Sequence, residues 1–295
     1  MAKNATFSGC YTALATPFRG ARVDHASFER FVEWQVGEGV HGLVPCGTTG
    51  ESPTLTHDEH KDLIRRTVKV ARGRAVVMAG TGSNSTAEAI ALTRDAEKAG
   101  ADAALVVAPY YNKPTQEGLF QHFRAVAKAS GLPIFIYNIP GRSVVNLTDE
   151  TLARLAEIPN IAGVKDATGD LARAATLRAL IGERLVLFSG EDMTMVGFNA
   201  MGGRGVISVL SNLAPKAVAK VQELTLAGKY DEARKQLERF TALTQALFAE
   251  TSPAPVKYAL SRMGHGRAEL RLPLVAPSSA LQKRLKAHLK DLGFI

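Results

Sequence analysis

Residues 134–165 read IFIYNIPGRSVVNLTDETLARLAEIPNIAGVK. Two short apolar runs, Ile134–Asn138 and Ile161–Lys165, bracket a segment in which Thr148 can cap a helix. That helix carries Leu152, Leu155 and Ala156 and must stop before Pro159. Both runs are apolar at consecutive positions instead of alternating, the pattern of strands covered on both faces. The unit therefore reads strand, helix, strand within a parallel sheet.

On either side of this unit the rhythm repeats. Strands are expected at Tyr11–Ala15, Gly42–Pro45, Ala75–Ala79, Ala103–Ala108, Leu185–Ser189 and Gly205–Val209, which brings the count to eight. Helices fit between them. Asp24 or Ser27 can cap one that carries Phe28, Phe31, Val32 and Val36. Thr56-His57-Asp58-Glu59 and Ser85-Thr86-Ala87-Glu88 both have capping-box spacing, and Gly100 can close the second of these helices. Eight β/α units in a row favour an α/β fold of the closed (β/α)8 type, a TIM barrel, over an open doubly wound sheet. After about Ala227 the strand pattern ends. Tyr230–Phe248, Pro255–Met263 and Ser278–Leu292 read as helices, so residues 228–295 are expected to form a C-terminal helical extension packed on a barrel of residues 1–227.

Composition narrows the function classes. Of 295 residues 46% are hydrophobic and 22% charged, which excludes collagen-like, disordered and low-complexity chains. Two cysteines, Cys10 and Cys46, cannot build a disulfide framework. The N-terminal residues lack the apolar run of a signal peptide, and no stretch is long enough to span a membrane, so a cytoplasmic enzyme is expected. The net charge of +8 is spread along the chain. Its densest stretch, Lys283-Arg284-Leu285-Lys286, falls in a helical pattern of Leu281, Leu285, Leu289 and Leu292, a solvated face and not a nucleic-acid site. Small anionic substrates remain open.

In a barrel of this kind the chemistry sits at the C-terminal ends of the strands. The sixth strand ends in Lys165. Burial there disfavours the ammonium and leaves an amine able to form a Schiff base with a carbonyl; the alternative is a lysine that snorkels to water. The fifth strand ends in Tyr137 beside it, and a phenol can relay protons during carbinolamine formation. Arg142 can present a guanidinium fork to a carboxylate. The second strand runs into Gly47-Thr48-Thr49-Gly50-Glu51, a turn whose N–H groups and hydroxyls can hold an anion, although it is not a phosphate P-loop. Gly80-Thr81-Gly82 lacks the third glycine of a dinucleotide fingerprint, and His57, Glu59 and His60 lack metal-site spacing. Cys46 reads as a small buried residue. A lysine, a tyrosine, an anion-binding turn and an arginine together suit a carbonyl substrate bearing a carboxylate, such as a 2-oxo acid.

Four motifs, Gly47-Thr48-Thr49-Gly50-Glu51-Ser52, Tyr110-Tyr111-Asn112-Lys113-Pro114, Tyr137-Asn138-Ile139-Pro140-Gly141-Arg142 and Gly163-Val164-Lys165-Asp166, in this order and spacing, resemble the dihydrodipicolinate synthase family. It is a family of pyruvate-dependent class I aldolases that includes N-acetylneuraminate lyase, and the resemblance covers essentially the whole chain. It implies that Lys165 forms a Schiff base with pyruvate. It also implies that Tyr137, Thr48 and Tyr111 form a proton relay, with Tyr111 lent by the adjacent subunit of a tight dimer. Thr49 and Thr48 would hold the pyruvate carboxylate, Arg142 would bind the carboxylate of the second substrate, and Gly190 and Ile207 would line the pocket. The implied second substrate is L-aspartate 4-semialdehyde, and the product 4-hydroxy-tetrahydrodipicolinate, a precursor of diaminopimelate and lysine.

The resemblance further implies a homotetramer built from two tight dimers, no metal or other cofactor, and feedback inhibition by L-lysine at the dimer interface. The lysine site would use Ser52, His57, His60, Asn84, Glu88 and Tyr110, with Pro53 departing from the alanine frequent there. The nearest alternative is a sister aldolase, such as N-acetylneuraminate lyase or a 2-keto-3-deoxy sugar acid aldolase. A barrel that senses pyruvate or lysine without catalysis would be expected to lose Lys165 or Tyr137, and both are present.

Overall fold

A computed structural model describes residues 7–295; the reading of the chain's first residues as lacking a leader falls on residues 1–6 and lies outside the described residues. The chain opens with β1 (Gly9–Ala13), a short hairpin of β2 (Phe18–Arg19) and β3 (Arg22–Val23), and α1 (His25–Gly37). There follow β4 (Gly42–Val44), α2 (His57–Ala71), β5 (Val76–Gly80), α3 (Thr86–Lys98), β6 (Ala103–Val107) and α4 (Gln116–Lys128). The central unit is β7 (Ile134–Asn138), α5 (Pro140–Ser143), α6 (Asp149–Leu155) and β8 (Ile161–Asp166). The barrel ends with α7 (Leu171–Ile181), β9 (Val186–Ser189), α8 (Met195–Ala200), β10 (Gly205–Ser208) and α9 (Pro215–Leu226). Eight strands, β1 and β4 to β10, pair in parallel and in sequence, and β10 closes on β1. This is the (β/α)8 barrel expected from the strand pattern.

The consecutive apolar runs hide an alternation. Ile134 and Ile136 face outward into the layer between strands and helices, whereas Phe135 and Tyr137 face the barrel interior. Inside, Tyr11, Phe135 and Phe188 plug the barrel through edge-to-face contacts, with centroids at 4.8 Å for Tyr11–Phe188 and 5.8 Å for Phe135–Phe188. Gly163 makes the plug possible, since any Cβ there would collide with the Phe135 ring. The plug fills the lower barrel, so the open space lies toward the C-terminal ends of the strands.

Helix starts follow local chemistry. Asp24 caps α1 by accepting from the Ser27 amide at 3.1 Å, and Thr56 and Glu59 form a complete capping box on α2. The second expected capping box is only half made. Ser85 accepts from the Glu88 amide, but the Glu88 carboxylate turns to Ser83 and His57 instead of returning to the Ser85 amide. The hairpin was not expected, because two-residue strands carry no periodicity.

The C-terminal part contains α10 (Tyr230–Glu238), α11 (Thr241–Leu247), α12 (Ala254–Arg262) and α13 (Ser279–Asp291). The single helix expected over Tyr230–Phe248 breaks at Arg239 and Phe240, and the break seats the buried Phe240 ring against Phe294. On α13, Leu281, Leu285 and Leu289 are buried and the lysines between them face water, as the helical spacing predicts. No described helix is long and apolar enough to cross a membrane.

Candidate active site

Lys165 and Tyr137 are register partners on β8 and β7, both turned into the barrel mouth. The Lys165 Nζ lies 3.9 Å from the centroid of the Tyr137 ring, and the lysine is only 6% exposed. That is the distance of a cation–π contact. Behind them the strand ends are braced from outside the barrel. Asn138 Nδ2 donates to Asn146 Oδ1 at 2.8 Å, and the buried Arg173 meets Asp166 at 3.4 Å and Asp149 at 3.1 Å.

Above this pair opens a cavity of about 240 Å³, lined by Lys165, Tyr137, Thr48, Thr49, Arg142 and Gly190 among others. Thr48 and Thr49 come from the turn after β4. Its amides close back on it, Gly50 N–H to Gly47 O at 3.1 Å and Glu51 N–H to Thr48 O at 3.1 Å. Two non-glycine residues with positive φ flank it, Cys46 at 57° and Glu51 at 55°, a conformation that tertiary contacts must hold in place. Arg142 is exposed at the rim on the short α5, where Pro140 starts the turn, and its Nη2 donates to the Ser252 carbonyl at 3.2 Å. Gly190 approaches β8 closely, donating to the Asp166 carbonyl at 2.6 Å, and a Cβ there would crowd Ala167.

A second cavity, about 370 Å³, shares Thr48, Tyr137, Ile139 and Arg142 as a wall with the first. Ser52, His57, His60, Glu88 and Tyr110 line it. His57 Nε2 lies 2.8 Å from Glu88 Oε1, and the Ser83 hydroxyl, together with this contact, holds the Glu88 carboxyl below its ordinary range. Burial pushes His60 down to about 4, so that ring is neutral near pH 7. Asn84 lines neither cavity; its carbonyl accepts from Asn112 Nδ2 at 2.9 Å. Ile207 belongs to the barrel's inner apolar cluster, and Val209 lines the first cavity in its place. Tyr111 lines neither cavity of its own chain: it is 88% exposed with φ at 70°.

Several residues at the site escaped the sequence reading. Glu191 lines the first cavity, and burial beside Asp192 raises its carboxyl while Lys165 and Arg142 draw it back. Asp192, also raised by burial, accepts from the Ser208 hydroxyl at 2.5 Å and from the Val209 and Leu210 amides at 3.0 Å. Both directly follow Gly190, so their place after a strand was a usable signal. Phe248 and Ser252 reach the cavity from the C-terminal extension, which no local pattern foretells. Burial pushes the Cys46 thiol up, as suits a small buried residue.

The model of the dihydrodipicolinate synthetase family matches residues 6–292. The chain belongs to this family. Among its relatives, the 4-hydroxy-tetrahydrodipicolinate synthase of Methylobacterium radiotolerans is 54% identical over 287 residues, covering 97% of this chain and 96% of the relative. The chloride-inhibited dihydrodipicolinate synthase of Acinetobacter baumannii, solved in complex with pyruvate, superposes with a TM-score of 0.96 at 44% identity, over 98% of this chain and all of that one. The synthase of Cyanidioschyzon merolae with lysine bound gives a TM-score of 0.95 at 38% identity, over 98% and 99% of the two chains.

Proposed function

We propose that this member of the dihydrodipicolinate synthetase family condenses pyruvate with L-aspartate 4-semialdehyde to 4-hydroxy-tetrahydrodipicolinate, for diaminopimelate and lysine biosynthesis. The observation that carries the reading is the Lys165 amine over the Tyr137 ring at 3.9 Å, on the floor of a cavity that also meets Thr48, Thr49 and Arg142. Relatives named for this reaction over nearly the full chain support it.

The Lys165 amine adds to the pyruvate carbonyl, and loss of water leaves an iminium. The iminium draws electrons from the methyl carbon, which loses a proton to become an enamine. The enamine carbon attacks the aldehyde of the second substrate, whose own amine then adds to the iminium carbon and expels Lys165, closing the ring. Tyr137, Thr48 and the partner subunit's Tyr111 move the protons of these steps. The turn at Thr48 and Thr49 holds the pyruvate carboxylate, and Arg142 at the rim pairs with the carboxylate of the semialdehyde. The small pocket surface at Gly190 shapes the space, with Ile207 packed beneath. The reaction so written needs no cofactor or metal, because the iminium formed on Lys165 is the electron sink.

An exposed Tyr111 with positive φ, lining neither of the two cavities described, suits a residue lent to a second copy, and a homotetramer of two tight dimers is the assembly we propose. L-Lysine is proposed to bind in the second cavity at Ser52, His57, His60, Glu88 and Tyr110, with Asn84 at its edge; the Glu88 carboxylate suits a ligand ammonium. The Cyanidioschyzon merolae relative with bound lysine supports this. We further take residues 1–227 as the catalytic barrel, residues 228–295 as an extension packed on it, and the cytoplasm as the setting.

Two assays test the reading. Pyruvate consumption with L-aspartate 4-semialdehyde, and none with N-acetylmannosamine, is expected; consumption with the sugar alone would favour a sister aldolase. Borohydride reduction in the presence of pyruvate should add one pyruvate-derived mass to Lys165 and none to the Lys165→Arg variant.

A further inference from the structure

Glu51 closes the turn that carries Thr48 and Thr49, yet its carboxylate takes no part in the cavity. It is buried, and it forms an ion pair with Lys257 on α12, 206 residues away; Lys257 is 2% exposed. The second carboxylate oxygen accepts from the Arg271 amide at 3.1 Å. The Arg271 side chain continues the clamp. It donates to the Thr54 carbonyl at 2.7 Å and to both Glu59 oxygens at 2.7 and 2.6 Å. Both cations also lie over the buried Phe18 ring, Lys257 Nζ at 4.1 Å and Arg271 at 4.4 Å from its centroid. The turn is thus tied at Glu51 and Thr54 to the C-terminal extension, while Thr16 Oγ1 donates to the Gly50 carbonyl at 2.8 Å from the other side.

A buried ion pair adds little net stability over apolar packing of the same volume. What it does supply is direction, since one ammonium and one backbone amide fix both oxygens of a single carboxylate. Here the fixed carboxylate belongs to a residue held at a φ of 55°, the closing residue of a turn that would otherwise relax. We propose that Lys257, assisted by Arg271, is a positioning residue that acts through Glu51 to hold the Thr48–Thr49 turn in the geometry that receives the carboxylate of the 2-oxo acid. The inference rests on the reaction proposed above for its substrate, though not for its geometry. It assigns the helical extension a role in the barrel's chemistry.

The test uses the full chain and the variant Lys257→Met, which keeps an unbranched side chain of similar length. Because that variant leaves a buried carboxylate uncompensated, Glu51→Gln/Lys257→Met, which removes both charges, is run beside it. The first readout is amide hydrogen exchange of a peptide spanning residues 46–55, without substrate, at a temperature where circular dichroism is native. Exchange there should speed up roughly tenfold while α1 stays at the wild-type rate. The second readout is steady-state kinetics. The KM for pyruvate should rise roughly tenfold or more, with kcat and the KM for the semialdehyde changing less than about threefold.

A purely structural role would lower the melting temperature and leave both KM values alone. A folded variant with wild-type exchange in 46–55, or with an unchanged pyruvate KM, would overturn the proposal. So would equal rises in both KM values, since α12 as a whole would then have moved. If the wild-type chain itself gives no borohydride-stable pyruvate adduct, the proposed reaction fails, and the exchange readout still decides whether Lys257 holds the turn.

Discussion

Replacing Tyr137 by phenylalanine separates the two things this residue does. Its ring lies beneath the Lys165 amine at 3.9 Å and packs in the barrel's inner cluster, and phenylalanine keeps both contacts. No hydrogen bond to another described residue depends on the hydroxyl, so removing it orphans no partner. The cost in stability is therefore expected below about 1 kcal/mol, the net worth of one ordinary hydrogen bond. The cost in rate is far larger if the phenol moves protons during carbinolamine and enamine formation. A positioned acid–base group contributes roughly 100- to 10,000-fold, or about 3 to 5 kcal/mol of barrier. Calorimetry and steady-state kinetics on Tyr137→Phe should thus show a near wild-type melting temperature beside a kcat/KM reduced by at least about 100-fold. Borohydride trapping should still label Lys165, more slowly. A kcat/KM within about threefold of wild type would refute the assignment of the phenol as a proton carrier, and a large loss of stability would show that the hydroxyl holds the fold.

Two further outcomes follow from the geometry. Arg142→Met removes a rim guanidinium whose one hydrogen bond among the described residues is to the Ser252 carbonyl, so the fold should persist. The semialdehyde should lose a charge-assisted contact, roughly 10- to 150-fold in kcat/KM, with pyruvate trapping on Lys165 unchanged. The buried His60 and His122 are both pushed down from 6.5 to about 4. The unfolded chain then binds protons that the folded one refuses, so their contribution is fully present above about pH 6.5 and is lost as pH falls toward 4, on the order of 3 kcal/mol for each ring. Glu191 and Asp192, pushed up by burial, act in the opposite sense. Urea unfolding of wild type against His122→Phe between pH 7 and about 5 isolates the histidine part. Parallel curves would refute it.

The strand pattern was legible because burial on both faces leaves a mark on consecutive residues. Ile134–Asn138 was placed to the residue, and β8 runs only one residue past its expected end, through Asp166. Lys165 could be singled out since a lysine that follows four small or apolar residues at a strand end contrasts with its surroundings. Other features left no such mark. The break at Phe240 interrupts a run with helical spacing on both sides, and the reason for it is a ring more than 50 residues ahead, Phe294. The second capping box had the right letters, but Glu88 found better partners in Ser83 and His57. A carboxylate near several donors takes those that the fold brings closest, and spacing along one helix cannot rank them.

The division between the two levels follows the range of the interactions. Periodicity, caps and the order of eight β/α units depend on neighbours within a few residues, so the barrel, its mouth and the residues at the strand ends were written in the local pattern. The choice of Lys257 and Arg271 as partners for Glu51 spans more than 200 residues, and 28 acidic residues offered alternatives to any one cation. The same holds for the wall shared by the two cavities, where Thr48 from the turn after β4 meets Tyr137 and Arg142 from the end of β7. Such contacts depend on the closure of the barrel and the docking of the C-terminal helices against it, because only the packed chain excludes the solvent that would otherwise satisfy each of these groups alone.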